Sequence, residues 1–413
     1  MDRGGPRVRG LKFFCSRLML FVGILLGLEI SFLFLYLGRS LRVPKWILGF
    51  NSWDSVVIYR ETLYVLKKLD INTIVGHFAF VMFTPVHTSL GALLLFQGSS
   101  GLLLHNGAVF GISSLLSGSV LRPTRDNVPI IAGLLSSVVP VYLFVPSLIP
   151  LYPPGPNSWA SVASTLATGF LLGWGTKNGR GCTSGHMLCG LARLSPRSFI
   201  ATAIFFTTAL LTANLVSGGQ NIPPCPSGVP CYTPVYPSTA ELMFMIGTTA
   251  LTFITNWFVV PRIMDKSEKS RTLFSYLAGL QFGMGLFFTG MANPSKVLRF
   301  FAFPTDLFRF DPSLALVILF GIGPSLITFL TAKPGQKTDK LDGKLELPTL
   351  ADSWRLPTAT VADIDWRFVA GAAAFGAAWG LRGVCPGPAV LRAALQPAWG
   401  LVEMTGYMLG NLL

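Results

Sequence analysis

Three uninterrupted stretches of this 413-residue chain, 71–121, 128–176 and 198–240, contain no Asp, Glu, Lys or Arg. A water-soluble fold cannot cover its surface with such segments, whereas a helix crossing a bilayer needs about 20 consecutive apolar residues. The composition agrees. Hydrophobic residues make up 51% of the chain and charged residues 12%, roughly half the charged share of a soluble domain. The sequence therefore specifies an all-α polytopic membrane protein, multi-pass and with the lipid bilayer as its first partner.

The net charge is +14. No basic stripe or aromatic-basic module accompanies it, so nucleic acid is not an expected partner. Lys and Arg collect in short cytosolic loops beside membrane spans, and the same bases favour an anionic solute. The N-terminus, MDRGGPRVRGLKFFCSR followed by LMLFVGILLGLEISFLFLYLG, reads as a first span or signal anchor rather than a cleaved signal. Glu29 within it needs a protein-facing position, and residues 39–70 suit an interfacial amphipathic segment. Further apolar spans follow over 74–96 and 92–106 (one bent segment or two crowded ones), 128–147, 158–174, 198–217, 239–260, 273–291, 313–332, 366–381 and 388–411. Residues 333–365 are too polar for lipid and are expected to form an exposed linker. The six cysteines are too scattered for a disulfide framework. Cys225 and Cys231, in PPCPSGVPC, either close a small ring in an oxidising compartment or remain reduced thiols.

Two motif pairs suggest duplication. FGISSLLSG (110–118) and FGMGLFFTG (282–290) share Phe-Gly, six residues and Gly; WGTKNGRGCTSG (174–185) and WGLRGVCPG (379–387) share Trp-Gly, a base, Gly and Cys. Their order is the same in both halves. The interval from Gly283 to Cys385 exceeds that from Gly111 to Cys182 by 31 residues, about the size of the polar stretch 333–365. The expected organisation is an N-terminal basic segment and first span (1–70), a first repeat (71–217), a Pro-rich loop with a connecting span (218–271) and a second repeat (272–413). Repeated membrane proteins place their solute path at the repeat interface, and glycine-broken helices mark it. The expected architecture is an internally duplicated helical bundle with broken or re-entrant half-helices around a central pore.

Cys182 and Cys385 occupy matching positions in the second motif pair. A cysteine in a membrane helix is ordinarily a small hydrophobe, but flanking glycines and the nearby bases Lys177, Arg180 and Arg382 favour a polarizable S–H donor for a soft anion. Cys189 lies two helical turns beyond Cys182, as a second contact or as packing. Gly181, Thr183, Ser184, Gly185 and His186 around the first thiol, Gly383 and Gly387 around the second, and Gly111 and Gly283 in the first motif pair complete the candidate path. Cys-x3-His-x2-Cys offers three metal ligands without a fourth, so His186 is expected to be a hydrogen-bonded structural residue, and no metal or other cofactor is expected. A Cys-His nucleophilic pair has the same weak support. Lys296, after Asn293-Pro294, either caps a carbonyl, snorkels or attracts the anion, with snorkelling the default. Gln97 and Asn106 suit interhelical hydrogen bonds.

Five segments, NGAVFGISSLLSG (106–118), GTKNGRGCTSGHMLCGLARLSPRSFIAT (175–202), FGMGLFFTGMANPSKVLRFF (282–301), DPSLA (311–315) and AWGLRGVCPGPAV (378–390), resemble the YeeE/YedE-type sulphur transport family. The resemblance covers about 85–217 and 272–413 and looks like two shorter members fused end to end. It implies a membrane carrier or channel-like permease for a small sulfur-containing anion, thiosulfate above all, relayed by S–H donors at the pore centre. That role carries over to Cys182 and Cys385. Members with three such cysteines have one in the first motif, where this chain reads NGAVFGIS. A soluble sulfur-accepting protein is a candidate partner. The competing expectation is a membrane sulfur-transfer or thiol-redox enzyme with Cys182 or Cys189 as nucleophile.

Overall fold

A computed structural model describes residues 82–219, 221–225, 228–336 and 346–413. The expected first span, Glu29 and the interfacial segment 39–70 lie outside the described residues. Within them the fold is helical, with isolated backbone bridges at Phe83–Pro234 and Ala108–Arg355 in place of any strand ladder. The helices are α1 (Pro85–Asn106), α2 (Ile112–Leu121), α3 (Val128–Phe144), α4 (Trp159–Asn178), a wide-turn segment Ser184–Leu191, and α5 (Pro196–Leu215). Then come α6 (Thr239–Ile263), α7 (Glu268–Phe288), α8 (Pro294–Phe300), α9 (Pro312–Ala332), α10 (Trp366–Arg382), α11 (Pro386–Leu395) and α12 (Pro397–Leu412).

Four long helices stop in the same way. Gly107 after α1, Arg180 and Gly181 after α4, Gly290 after α7 and Gly383 after α10 all adopt positive φ, the conformation that ends a helix and that glycine tolerates best. Within a few residues a short helix begins: α2, Ser184–Leu191, α8 or α11. Each is at most 10 residues, about 15 Å, and so covers only half a bilayer. The α10–α11 pair is bent by 42°.

Contacts sort the connections into two ends. At one, Asp126 pairs with Arg271 (3.0 Å) and Arg355 (2.6 Å), Arg125 pairs with Glu268 (2.6 Å) and Lys266 with Asp352 (3.1 Å). Leu350 and Arg355 donate their N–H groups to His105 and Gly107. This basic end gathers the last turn of α1 and the α2–α3, α6–α7 and 346–355 connections. At the other, Cys225 and Cys231 form a disulfide. Around it, Phe83 N–H donates to Cys231 O, Cys231 N–H to Phe308 O, Asn214 to Phe301 O, and Arg309 to Gly219 and Ile222 carbonyls. Gln396 reaches Pro153 O at the same end. Thus α2 and Ser184–Leu191 run from the interior to the basic end, whereas α8 and α11 run to the disulfide end.

The packing follows an exchange. α1 lies on α7 and α4 on α10, while α3 packs on α7 as α9 does on α1, and α5 packs on α10 as α12 does on α4. Among the described residues α6 has no counterpart; it carries the chain from the disulfide end back to the basic end before α7 begins. Close approach relies on small residues. Gly169 and Gly173 on α4 face Gly406 and Gly410 on α12, and a Cβ at any of them would strike a partner carbonyl. Large apolar side chains such as Leu211, Leu215, Met243, Ile246, Leu319 and Ile327 point outward, the reverse of a soluble fold and the surface lipid requires. α5, α6 and α9 are each long and apolar enough to cross a membrane alone.

Several expectations are corrected. Of the two alternatives left open for 74–106, the described part supports a single segment: Pro85–Asn106 is one helix, with no proline or charge after Pro85 to interrupt it. The stretch 388–411 is two helices, split where Gln396 leaves the helical conformation ahead of Pro397. The polar stretch is not wholly a free linker: Pro348, Leu350 and Ala351 are buried against the end of α1. Gly283 does not match Gly111. Gly111 precedes half-helix α2, whereas Gly283 sits inside α7 against Ser137 and Leu134, although Phe110 and Phe282 do stack (4.3 Å). Gln97 and Asn106 hydrogen-bond between helices as expected, to Thr249 O (3.3 Å) and Ser275 Oγ (2.8 Å).

The connections 145–158 and 216–238 carry no charged residue, whereas Arg262, Lys266, Lys269 and Arg271 crowd one connection at the basic end. The positive-inside rule then places the basic end in the cytosol. An impermeant maleimide should label Tyr236→Cys in intact cells and Lys266→Cys only in inverted vesicles; the opposite pattern would reverse the orientation.

Candidate functional site

The half-helix starts surround one cavity of about 100 Å³, several times what one water needs. Ile112 opens α2, Thr183 and Ser184 open the wide-turn segment, Pro386, Gly387 and Pro388 open α11, and Met291 stands just before α8; all line it. Both thiols, Cys182 and Cys385, open on this cavity and are otherwise buried. Thr183 Oγ1 donates to Cys385 Sγ (3.5 Å). Ser184 Oγ accepts from the Ile112 N–H (3.0 Å) and lies 3.2 Å from Cys182 Sγ. One hydroxyl from the first thiol's own loop therefore touches the second thiol, and the next hydroxyl ties that loop to α2.

The rest of the wall is apolar and soft. Met187 and Met291 bring two thioethers beside the two thiols, and Phe206, Phe282, Phe300 and Trp379 bring rings. Among the described residues no Lys, Arg, Asp or Glu lines the cavity. Positive potential must come from backbone. Two of the converging helix starts, at Ser184 and Pro386, have no side-chain cap, whereas the first N–H of α2 is taken by Ser184 Oγ and α8 is capped by Asn293, which accepts from the Ser295 N–H (3.0 Å). In Pro386-Gly387-Pro388 the two prolines lack N–H groups, so Gly387 supplies the first donor of α11. Uncapped first-turn N–H groups attract anions.

The other marked residues fall elsewhere. Lys177 is exposed and donates to Leu412 O (3.1 Å), Arg180 is exposed, and Arg382 reaches Ser164 Oγ (2.9 Å). These bases end their helices at the surface, and the glycine turn alone carries the chain back inward, so they stand away from the thiols. His186 is buried with both ring nitrogens engaged, by Ser198 Oγ (3.2 Å) and Gly179 O (3.0 Å). It fastens the segment to α4 and is not in the wall. Gly181 leaves room for that ring, which a Cβ would strike. Gly185 and Gly111 sit where the first two breaks approach each other, Gly383 where α10 ends against Pro294 O, and Gly387 against Ile112 and Leu286. Cys189 donates to Phe110 O (3.6 Å) and lines a separate small cavity.

Lys296 does not snorkel. It is 1% exposed, 3.1 Å from Asp311, which is 0% exposed, and it donates to Met82 O (2.6 Å) and Thr84 Oγ1 (2.8 Å). Asp311 also accepts from the Ser313 N–H (2.9 Å) and hydroxyl (2.6 Å). The pair clamps α8 to the starts of α1 and α9, so its charge serves architecture. The wall residues that sequence reasoning missed are apolar: Met187, Met291, Phe206, Phe300 and the α9 side chains Leu314, Val317, Ile318 and Ile322. Only Met291, inside the Gly-Met-Ala-Asn-Pro break, carried a local signal. Among the described residues no three His, Cys, Asp or Glu side chains gather as a metal site.

Removing one partner of a buried pair strands a charge, at about 3–5 kcal/mol. Asp311→Asn should therefore lower thermal stability in detergent sharply, while Lys296→Met with Asp311→Leu should recover most of the loss. Equal destabilisation by both would refute the clamp.

The family described as sulphur transport matches residues 153–211, and a family of unknown function, DUF6691, matches 271–412. Two probable transporters of Xylella fastidiosa strain Temecula1 are similar. One is 39% identical over 129 residues, covering 31% of this chain and 91% of the relative; the other is 41% identical over 125 residues, covering 30% and 74%. A probable transporter of strain 9a5c is 38% identical over 130 residues, covering 31% and 91%. The sulphur transport family and relatives described as probable transporters indicate a transporter rather than an enzyme, and the apolar helices make this chain an integral multi-pass membrane protein. The chain belongs to the sulphur transport family, of the YeeE/YedE type.

Proposed function

We propose that this transporter conducts a small sulfur oxyanion, thiosulfate above all, through the central cavity, with Cys182 and Cys385 as successive contacts. The observation that carries this reading is that both thiols open on one cavity, free of charged side chains among the described residues, where the uncapped starts of Ser184–Leu191 and α11 converge. A thiosulfate ion has a hard oxyanion end and a soft terminal sulfur. Backbone N–H groups at Ser184 and Gly387 suit the first; S–H donors and the Met187 and Met291 thioethers suit the second. Each helix terminus contributes about 0.3–1 kcal/mol to an anion in exposed settings, and up to about 2 when partly buried. A fixed cation would hold the ion more tightly, and a conduit must release what it binds.

The exchanged contacts, the opposite directions of the half-helices and the paired break motifs support a chain built by duplication of one membrane unit. In that arrangement one thiol comes from each unit, and the path runs between them.

The test is uptake of labelled thiosulfate into proteoliposomes. Wild type should exceed empty vesicles. Losing one hydrogen bond of about 0.5–1.5 kcal/mol should slow uptake about 3- to 10-fold in Cys182→Ala or Cys385→Ala, with the Ser variants retaining more flux than Ala. Uptake equal to empty vesicles from folded protein, or indifference to both Ala variants, would refute the reading.

A further inference from the structure

Cys189, part of the candidate path by sequence, is absent from the central wall. It lines a second cavity toward the basic end with Arg193, Ser99, Ser100, Ser325, Leu103 and Phe329. This cavity holds about 20 Å³, room for about one water. Its polar content differs from that of the central cavity. Arg193 donates through Nε to Cys189 O (3.3 Å), which fixes the guanidinium beside the thiol. Among the described residues, no carboxylate pairs with Arg193. A half-buried guanidinium beside a cavity and without a carboxylate calls for an anion. Ser100 donates between helices to Ser325 Oγ (3.3 Å), while the other two hydroxyls make local bonds, Ser99 to Leu95 O (2.8 Å) and Ser325 to Gly321 O (2.8 Å). Such back-bonds within a helix are weak and exchangeable.

One side chain, Leu188, belongs to both walls. We infer that Arg193, Cys189 and the hydroxyls of Ser99, Ser100 and Ser325 form a second anion station at the basic end, divided from the central cavity by Leu188. The inference rests on the transport reading for its solute but not for its geometry. The station supplies what the centre lacks, a full positive charge, placed near the surface where capture matters rather than at the midpoint where release does. Leu188, swinging on its two side-chain torsions, joins the two spaces without backbone movement. The set matches the chemistry of a divalent sulfur oxyanion, guanidinium and hydroxyls for its oxygens and the Cys189 thiol for its terminal sulfur, and the one-water cavity must widen by side-chain rotation to admit it.

The test reads the alkylation rate of Cys189 in the full-length protein in nanodiscs, by site-resolved mass spectrometry of N-ethylmaleimide adducts. Cys182 and Cys385 are read in the same digest, and a free cysteine peptide in the same tube corrects for maleimide consumed by thiosulfate. At about ten times its dissociation constant a bound anion leaves about a tenth of the sites open, so thiosulfate should slow Cys189 alkylation about tenfold. Chloride at equal ionic strength should not. Arg193→Gln should abolish the protection and Arg193→Lys should retain it, with thermal unfolding confirming that both fold. The station is overturned if thiosulfate leaves the Cys189 rate unchanged, if protection survives Arg193→Gln, or if Cys189 resists alkylation without anion, since a station on the route must admit a small polar reagent. Protection at Cys189 with none at Cys182 or Cys385 and no uptake would overturn the transport reading and leave the station standing.

Discussion

A peptide group outside a helix has no partner in hydrocarbon, and each one left unsatisfied costs several kcal/mol. In this chain four long helices end and the backbone turns back toward the interior without helix, at 107–111, 179–183, 289–293 and 383–385, before a half-helix starts. The interruptions therefore have to lie in the protein interior, where one break can satisfy another. The Ile112 N–H on Ser184 Oγ is such a bond, as is the Thr183 hydroxyl on Cys385. Burial of the breaks puts the helices that carry them, α1, α4, α7 and α10, at the centre of the bundle and pushes α5, α6 and α9 to the lipid. Small residues at the α4–α12 seam follow from the same demand, since backbones must come close enough to enclose the breaks.

Direction follows from parity. α1 starts at the disulfide end, and after α5 the chain is again at that end. Without another crossing, α7 would start there too, and its half-helix would enter from the same side as α2. α6 supplies the odd crossing, so α8 and α11 enter from the opposite side. Two half-helices from each side meet end to end, and their starts bound a space that neither pair could close alone.

Much of this was legible in the chain. Charge-free runs mark the spans, and glycines beside Cys182 and Cys385 mark two of the breaks. What failed were inferences that treated sequence neighbours as spatial neighbours. Lys177, Arg180 and Arg382 stand close to the thiols in sequence but end helices at the surface, because a residue at positive φ reverses the chain between base and thiol. Phe-Gly at 110–111 and 282–283 aligned by letters, yet one pair precedes a half-helix and the other packs inside a long one. The better guide was length: 112–121 and 294–300 are too short to span and each follows a helix-stopping residue. Lys296 looked like a snorkelling base because nothing local predicts that Asp311 lies beside it. The apolar wall from α5 and α9 had no signal at all, since a Leu facing a cavity and a Leu facing lipid are written alike.

On the proposed reading, the lack of charge in the central wall decides selectivity as well as speed. Sulfate and thiosulfate carry the same charge and differ by one terminal atom, sulfur for oxygen. Stripping water from either ion costs far more than a few helix termini return. The difference must come from the part of the ion that is cheapest to dehydrate, and that is the polarizable sulfur. A wall of two thiols, two thioethers and aromatic rings accommodates a soft, weakly hydrated atom and offers little to a fourth oxygen. Placing a lysine or arginine there would raise affinity for both ions alike and erase the distinction, because Coulomb attraction does not distinguish soft from hard. Keeping bases out of the centre, and burying Lys296 against Asp311 instead, therefore makes discrimination depend on the thiol side.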